Sequence, residues 1–441
     1  MTPRLPLKVA WQRLCNSYYG WRITALAALA IMLTGPGQTI GASVFVDHMI
    51  ADLELSRSQV SLAYLYGTIG GAMALTLVGR SIDRFGVRWV MAVTGVLFGI
   101  AIAGMSGVTG FVSLTIGFVG IRLLGQGVLN LTATTSVAFW FEERRGLALG
   151  IATAAGAGLM SLVPLIVNYS IGHIGWRGTW LAIAPVVGTS IVVIALVGMR
   201  NSPAELGLEI DGKKPPCSDS DAIDDESGAY NKGVTATAVS HYSTRGEALR
   251  SLAFWAIVTV AGSNSLIVTG LIFHQVSLLG EQGLTPSQAA ATFVPLSLAS
   301  LCAQFAAGAL TDRFSARQML IVAMASLLIA MFLLRIVAPG PLTIVYAIVL
   351  GASTGMVKPI EATLTPRIYG LRHIGSIRGV LLSINVTASA LGPYALAVGF
   401  EHFGAYGPAL LILSALPVLA IIAISLARIP DGPTPRSRPA N

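Results

Sequence analysis

Apolar residues run in long blocks along this chain, and polar residues are confined to short intervals between them. Asp, Glu, Lys and Arg are absent from Ile23 to Val46, Gln59 to Gly79, Gly178 to Met199, Leu252 to Gly280 and Gly379 to Phe400. Each stretch reaches or passes the ~20 residues a helix needs to cross a ~30 Å hydrocarbon layer. Blocks and breaks together predict twelve helices, at about 23–47, 58–79, 89–107, 110–139, 147–171, 178–199, 252–279, 286–310, 318–338, 342–365, 379–400 and 407–427. The expected fold class is an all-α membrane protein with twelve transmembrane helices in two six-helix bundles.

The interval from 200 to 250 differs in kind. It is polar, with Pro215-Pro216 and the acidic run Asp219, Asp221, Asp224, Asp225, Glu226. Too little apolar surface is present to offset the entropy of ordering, so it reads as a cytoplasmic linker, largely disordered. The expected organisation is a cytoplasmic N-terminus (1–22), a first bundle (23–199), the linker (200–250), a second bundle (251–427) and a cytoplasmic tail (428–441).

Composition narrows the function. Of 441 residues 54% are hydrophobic and 11% charged, where a soluble protein carries about a quarter charged. A soluble enzyme is excluded. Three cysteines (Cys15, Cys217, Cys302) are too few for a disulfide scaffold. The net charge of +8 does not form a basic face for nucleic acid, and no nucleic-acid partner is expected. With the N-terminus inside, most of the 28 Lys and Arg fall in cytoplasmic segments. Arg57, Arg177 and Arg335 lie outside or near the outer edge, and Arg122 and Lys358 lie within spans. Such a bias places both termini in the cytoplasm. The basic stretch before the first span lacks a small-residue cleavage site, so that span reads as retained. Trp21, Trp89, Trp140, Trp176, Trp180 and Trp255 fall at span ends, where an amphipathic ring suits the interface.

The halves repeat. Gly79-Arg-Ser-Ile-Asp83-Arg84-Phe-Gly86-Val-Arg88 follows the second span, and Gly308-Ala-Leu-Thr-Asp312-Arg313-Phe-Ser-Ala-Arg317 follows the eighth. Pro164 and His173-Ile-Gly175 match Pro393 and His402-Phe-Gly404 at the same spacing, and Arg145-Gly146 resembles Arg378-Gly379. Duplicated six-helix halves, with a solute site at mid-membrane between them, are a common transporter plan.

The Gly-x-x-x-Asp-Arg-x-Gly-x-Arg pattern at Gly79, Asp83, Arg84, Gly86 and Arg88, with its second copy at Gly308, Asp312 and Arg313, resembles the loop signature of the major facilitator superfamily. The resemblance covers nearly the whole chain. It implies that Asp83 as acid and Arg84 and Arg88 as bases lock the inner helix ends during gating, with Gly79, Asp312 and Arg313 in the same role. Tyr19-Gly20-Trp21, Phe141-Glu-Glu-Arg144-Arg145-Gly146-Leu-Ala-Leu-Gly150 and Ile360-Glu361 look like the monocarboxylate-porter branch and its bacterial relatives. Carriers of that branch have a lysine in the first span and an Asp-x-x-x-Arg pair in the eighth. Here the first span has Gly35-Pro36-Gly37-Gln38-Thr39, and the eighth offers Ser300 and Gln304.

A charge inside a bilayer costs ~2.5–3.5 kcal/mol by insertion scales, so each one needs a reason. Arg122, in Arg122-Leu-Leu-Gly125-Gln126-Gly127, resembles a fourth-span arginine motif of the superfamily linked to proton coupling. It either biases a nearby acid or holds a solute anion, or is satisfied by backbone carbonyls and by Gln126 or Asn130. Lys358 and Glu361 are three apart on the tenth span and can pair on one face. Glu361 is then a protonatable switch paired with Lys358, or the two are a static pair at the inner interface. Gln38, Asn130, Asn264, Gln304 and Asn385 are uncharged hydrogen-bonding groups on spans that line the central cavity of such transporters. Each singly reads first as an interhelical hydrogen bond, while some of the set face the solute, Gln38 and Gln304 foremost. His274 near the outer end of the seventh span is a weaker candidate for titration, and His173 and His402 read as structural. Many of the 48 glycines, such as Gly351 and Gly355, suit close helix packing. No phosphate-binding loop and no cluster with metal-ligand spacing is present, so neither cofactor nor metal is expected.

The expected function is transport of a small organic solute across an inner membrane by alternating access, with the monomer as the expected unit. It is driven by a proton gradient or runs as facilitated diffusion, which fits the sequence as well. Without the branch's charged anchors, the first expectation for the solute is a hydrogen-bond-rich, mostly neutral nutrient of the riboflavin type. The alternatives are a proton-coupled monocarboxylate transporter, an efflux pump for amphipathic compounds, and a transporter-like sensor using the acidic linker.

Overall fold

The computed structural model describes residues 18–142, 144–212, 245–310, 314–369 and 374–427, leaving aside the side chains at 74–80, 83, 212, 245, 308, 309, 366 and 374–376. Hydrocarbon offers no water to a free N–H or C=O, so a spanning chain must close its own hydrogen bonds. The described residues accordingly fold into helices. Among the described residues nine segments are each apolar and long enough to cross a membrane, including Arg84–Met105, Phe111–Trp140, Leu252–Phe273 and Tyr406–Leu426. One of them, Arg145–Gly198, holds two spans and turns at Gly175. The second span is the part of Arg57–Met105 that precedes Gly86. The first is broken, running from Tyr19–Leu33 through a tight turn at Gly35–Gly37 to the short helix Thr39–Ala42. The twelve-helix membrane fold is therefore as the apolar pattern indicates. The linker at 213–244 and the tail at 428–441 lie outside the described residues, but residues 200–212 are built into the end of the first half nearest the termini. There Asn201 takes the backbone N–H of Arg88 (3.1 Å), and Asp211 takes that of Glu142 (3.0 Å).

The internal duplication extends to backbone detail. Gly175 and Gly404, matched in sequence, have φ of 71° and 72°, a region that favours glycine, and each turns the chain between two spans. The second span begins with Ser56 capping Gln59 N–H while the Gln59 side chain takes the Ser56 N–H. The segment leading into the eighth span begins with the same reciprocal box between Thr285 and Gln288. Both boxes satisfy orphan donors of a first helical turn.

Helices approach closely where glycines meet. A side chain on Gly351 would collide with the carbonyl of Leu296, and one on Gly355 with the carbonyl of Ser300, so the eighth and tenth spans touch backbone to backbone. Gly392 stands likewise against Leu266 and Gly270, and Gly99 against Gly188. Without a hydrophobic drive between helices in lipid, such contacts supply the association through dispersion. Aromatic rings fill the wider gaps: Phe45 stacks on Trp180 with centroids 4.1 Å apart. Trp140 and Trp180 are buried inside the first half rather than facing lipid, because the ends of their spans are covered by neighbouring helices; Trp89 and Trp255 are exposed.

The two halves are joined at the ends opposite the termini, here called the far ends. Glu401 of the eleventh span accepts the backbone N–H of Ser58 (2.7 Å) at the start of the second, where the helix dipole favours a carboxylate. Arg57, paired with Asp47 (2.8 Å), lies over the rings of Phe400 and Tyr406. Asn168 donates to Ser287 (2.9 Å), the residue that matches Ser58 in the duplication. Arg177 clamps the far loops of the first half, holding Asp52 and the carbonyls of Ser106 and Val108. Toward the termini, Gln304, Lys358, Ser383 and Thr387 on the facing helices are exposed. Ser383 and Thr387 bond carbonyls of their own helix, whereas Lys358 and Gln304 are costly against lipid and favour a polar gap between the halves on the termini side.

Two outcomes follow. Gly355→Val forces a Cβ branch into the Ser300 carbonyl and should lower the apparent Tm of solubilised protein by several degrees, while Gly158→Val, which meets nothing within 4 Å, should leave it unchanged. Glu401→Ala removes the far-end latch and should raise far-side thiol labelling of a cysteine at Ser61 several-fold in a background lacking the native cysteines.

Candidate functional site

The break in the first span and the arginine of the fourth belong to one site. The Gly35-Pro36-Gly37 turn interrupts the helical ladder, and Gln38 that follows is extended, with φ −93° and ψ 158°. Gly37 itself packs against Ile121 and Gly125 of the fourth span. Across this contact Arg122 directs Nη1 to the Gly37 carbonyl (3.4 Å) and to Thr39 Oγ1 (3.5 Å). Its guanidinium lies 4.6 Å from the ring centroid of Tyr64 on the second span. Tyr64 in turn shares a 2.6 Å hydrogen bond with Thr39. Arg122 opens an eight-residue π-helical stretch to Leu129, a widened turn often found at functional positions.

The charge is poorly compensated. Arg122 is 4% exposed, and its Nε–H has no hydrogen-bond partner. Its bonds at 3.4 and 3.5 Å are longer than the ~2.7–2.9 Å usual for charge-assisted bonds. The ion pairs Arg57–Asp47 and Arg177–Asp52 do not involve Arg122, and among the described residues no carboxylate lies within 4 Å of it. Of the partners that a satisfied arginine would have, a backbone carbonyl is met, that of Gly37, whereas Thr39 and the Tyr64 ring stand in place of Gln126 and Asn130. Helical spacing alone favoured neighbours on the same helix, whereas the break places a free carbonyl closer.

Glu361 and Asn385 meet between the tenth and eleventh spans, Asn385 Nδ2 donating to Glu361 Oε2 at 3.5 Å. Lys358 is exposed and forms no ion pair with Glu361 within 4 Å among the described residues, contrary to expectation. Three-residue spacing permits that pair, but Asn385 on the adjacent helix occupies the carboxylate and leaves the ammonium to the open gap. Asn385 Oδ1 is buried without a partner. Gln304 is exposed, Gln38 is half-buried and donates to Thr34 (3.1 Å), and Asn130 is half-buried. Asn264 is buried and accepts from Ser353 (3.3 Å), an interhelical bond between the seventh and tenth spans.

At the near ends, Arg88 donates to the Leu196 carbonyl (2.6 Å) at the close of the sixth span, a favourable place for a cation. Gly86 between the second and third spans has φ 77°, and a Cβ there would meet the Asn201 amide. Arg84 is exposed and lies over the Phe85 ring rather than on a helix end. Gly79 and Asp83 lie on the helix, the Asp83 side chain is among those left aside, and Asp312 and Arg313 lie outside the described residues. His274 is buried between the halves, its Nε2 2.9 Å from the Pro393 carbonyl and 3.4 Å from Ser61 Oγ.

Several participants were not singled out from sequence. The Ser-x-x-Gln box at 56–59 was a readable signal for the start of the second span. Tyr64, Phe273 and Glu401 carry no local signature, because their partners lie on other helices.

Against known proteins, the family model described as Major Facilitator Superfamily matches residues 24–393 and 256–441. Human monocarboxylate transporter 6 is 30% identical over 159 residues, 35% of this chain and 31% of that protein. Riboflavin transporter RibJ of Trypanosoma brucei brucei is 22% identical over 186 residues, 41% of this chain and 34% of that protein. The chain thus spans about a third of the length of these relatives. The crystal structure of a D-xylose–proton symporter superposes with a TM-score of 0.68 at 18% identity, covering 94% of this chain and 99% of that one. The whole-length family match, the twelve spans and the duplicated halves agree: this chain is a multi-pass membrane protein that belongs to the Major Facilitator Superfamily.

Proposed function

We propose that the chain carries a small organic anion, of the monocarboxylate class, across an inner membrane by alternating access, with both termini cytoplasmic and Arg122 as the anchor for the anion. The observation that carries this reading is the buried guanidinium with long bonds, an unpartnered Nε–H and, among the described residues, no carboxylate within ion-pair distance. An incoming carboxylate can take two guanidinium N–H groups at once and supplies the missing countercharge. The limited similarity to monocarboxylate transporter 6 points the same way. Gln38, Gln304, Asn130 and Asn385 then contribute hydrogen bonds around the rest of the solute, while Asn264 holds helices together.

Glu361 serves as the proton-coupling group. It lies in the gap beside Asn385, and protonation turns its carboxylate from acceptor into donor, changing that contact between the tenth and eleventh spans. Lys358, exposed nearby, attracts anions into the gap. The Gly79–Arg88 loop, with Asp83, Arg84 and the equivalent Asp312 and Arg313, governs the near-end contacts as the halves rock. A monomer suffices, since both halves of the site are in one chain.

A second reading keeps the solute neutral and rich in hydrogen-bonding groups, as a vitamin is. The uncharged set Gln38, Asn130, Gln304 and Asn385 and the similarity to riboflavin transporter RibJ favour it. In proteoliposomes, the first reading expects saturable uptake of short monocarboxylates that falls at least tenfold in kcat/KM in Arg122→Gln, a loss of ~1.4 kcal/mol or more. Lysine at that position should not restore it, because a point charge cannot replace the planar fork. Saturable riboflavin uptake without any monocarboxylate flux would overturn that reading in favour of the second. Glu361→Gln should abolish uphill accumulation driven by a proton gradient while leaving counterflow exchange; retained accumulation would remove Glu361 from coupling.

A further inference from the structure

Phe273 belongs by sequence to the seventh span and the second half, yet its ring packs within the buried core of the first half. It is 0% exposed, and its centroid is 4.5 Å from that of Tyr64. Next to it toward the far side are His274, held by the Pro393 carbonyl, and Ser61 on the second span. Beneath Tyr64, toward the termini, lies Arg122. Tyr64 thus touches three things at once: the cation at 4.6 Å, the broken first span through Thr39 at 2.6 Å, and the intruding ring of the other half. It is itself fully buried, with Phe118 edge-on at 5.6 Å completing the socket.

We propose that Phe273 is a plug closing the far side, and that Tyr64 is the positioning residue coupling the state of the Arg122 charge to that plug. The coupling half of this rests on Arg122 being the solute anchor; the plug half does not. The far ends cannot part while the Phe273 ring sits in a socket of the opposite half. That socket is shaped by Tyr64, and the Tyr64 ring is held in place by attraction to an uncompensated cation. When an anion neutralises the guanidinium, the attraction of the cation for the ring face weakens. Tyr64 then loses one of its two polar tethers, and the socket loosens around Phe273. Occupancy of the site and release of the far side become one event, and an equilibrium between two conformers shifts by the difference in their hold on the ring.

The test uses a cysteine at Thr68. This position is one helical turn from Tyr64 toward the termini, and is nearly buried, its hydroxyl bonded to the Tyr64 carbonyl (2.9 Å). From the far side it is reached only past the plug. In the full-length chain lacking its native cysteines, membrane-impermeant maleimide is applied to either face of oriented vesicles. The parent should label faster from the termini side. Phe273→Ala should raise far-side labelling about tenfold and lower labelling from the termini side, because one conformer replaces the other. Mere loosening of the fold would raise both. Arg122→Gln and Tyr64→Leu should each shift labelling in the same sense, and together no further than either alone; Tyr64→Phe, which keeps the ring over the cation but gives up the Thr39 bond, should shift it less than Tyr64→Leu.

Unchanged labelling in Phe273→Ala, or a rise from both faces, overturns the plug. A shift in Phe273→Ala without one in Arg122→Gln or Tyr64→Leu overturns the coupling. Failure of the anion reading shows separately, as monocarboxylate uptake that survives Arg122→Gln. Tyr64→Leu leaves the charge in place and tests the same link should Arg122→Gln not accumulate.

Discussion

In hydrocarbon a broken hydrogen bond has no water to complete it, and the organisation of this protein follows from how its few breaks are completed from within. The first span breaks at Gly35–Gly37, and the carbonyl released at Gly37 is met by Arg122 of the fourth. Each defect answers the other. A lone arginine in the fourth span would be a costly charge, and a lone break in the first would expose backbone. The pair is tolerated, but the long bonds leave the cation short of a partner, the feature on which its proposed role as a solute anchor rests.

The duplication gives the two halves equivalent ends, and the far-side joint uses them in pairs. Ser58 and Ser287 stand at equivalent positions, just inside reciprocal capping boxes, and each binds a residue of the opposite half. The chemistry of the two contacts differs. Glu401 brings a carboxylate to the start of a helix, whereas Asn168 brings a neutral amide to a hydroxyl. The joint is therefore symmetric in place and unequal in chemistry, so under the proposed alternating access the halves need not part evenly across it. The same interface holds the Phe273 ring against Tyr64 and His274 between Pro393 and Ser61, contacts that also run from one half to the other.

Glycine has two separate duties here. At Gly86, Gly175 and Gly404 it admits a positive φ where the chain turns between spans. At Gly351, Gly355 and Gly392 it has an ordinary helical backbone and lets a neighbouring carbonyl lie against the helix. Sequence spacing suggests the second duty for Gly351 and Gly355, since residues four apart share a face. It does not reveal which helix fills the notch.

Length and apolarity of the runs settle the number of helices, since the cost of leaving a polar group in lipid is large and local. The same local cost makes Arg122, Lys358 and Glu361 stand out as exceptions, and matched loops and prolines disclose the duplicated halves. Partnership is another matter. Lys358 and Glu361 are well spaced to pair along one helix, yet Asn385 from a different span takes the carboxylate. Gln126 and Asn130 are well spaced to reach Arg122, yet its contact runs to a carbonyl 85 positions away. Tyr64 and Phe273 read as ordinary span aromatics and become a joint between the halves only when the bundles close. Hydropathy is a property of each residue with its solvent and can be summed along a chain. A hydrogen bond or ring contact depends on the rotation of one helix against another, which many weak packing contacts decide together and no single stretch of sequence encodes.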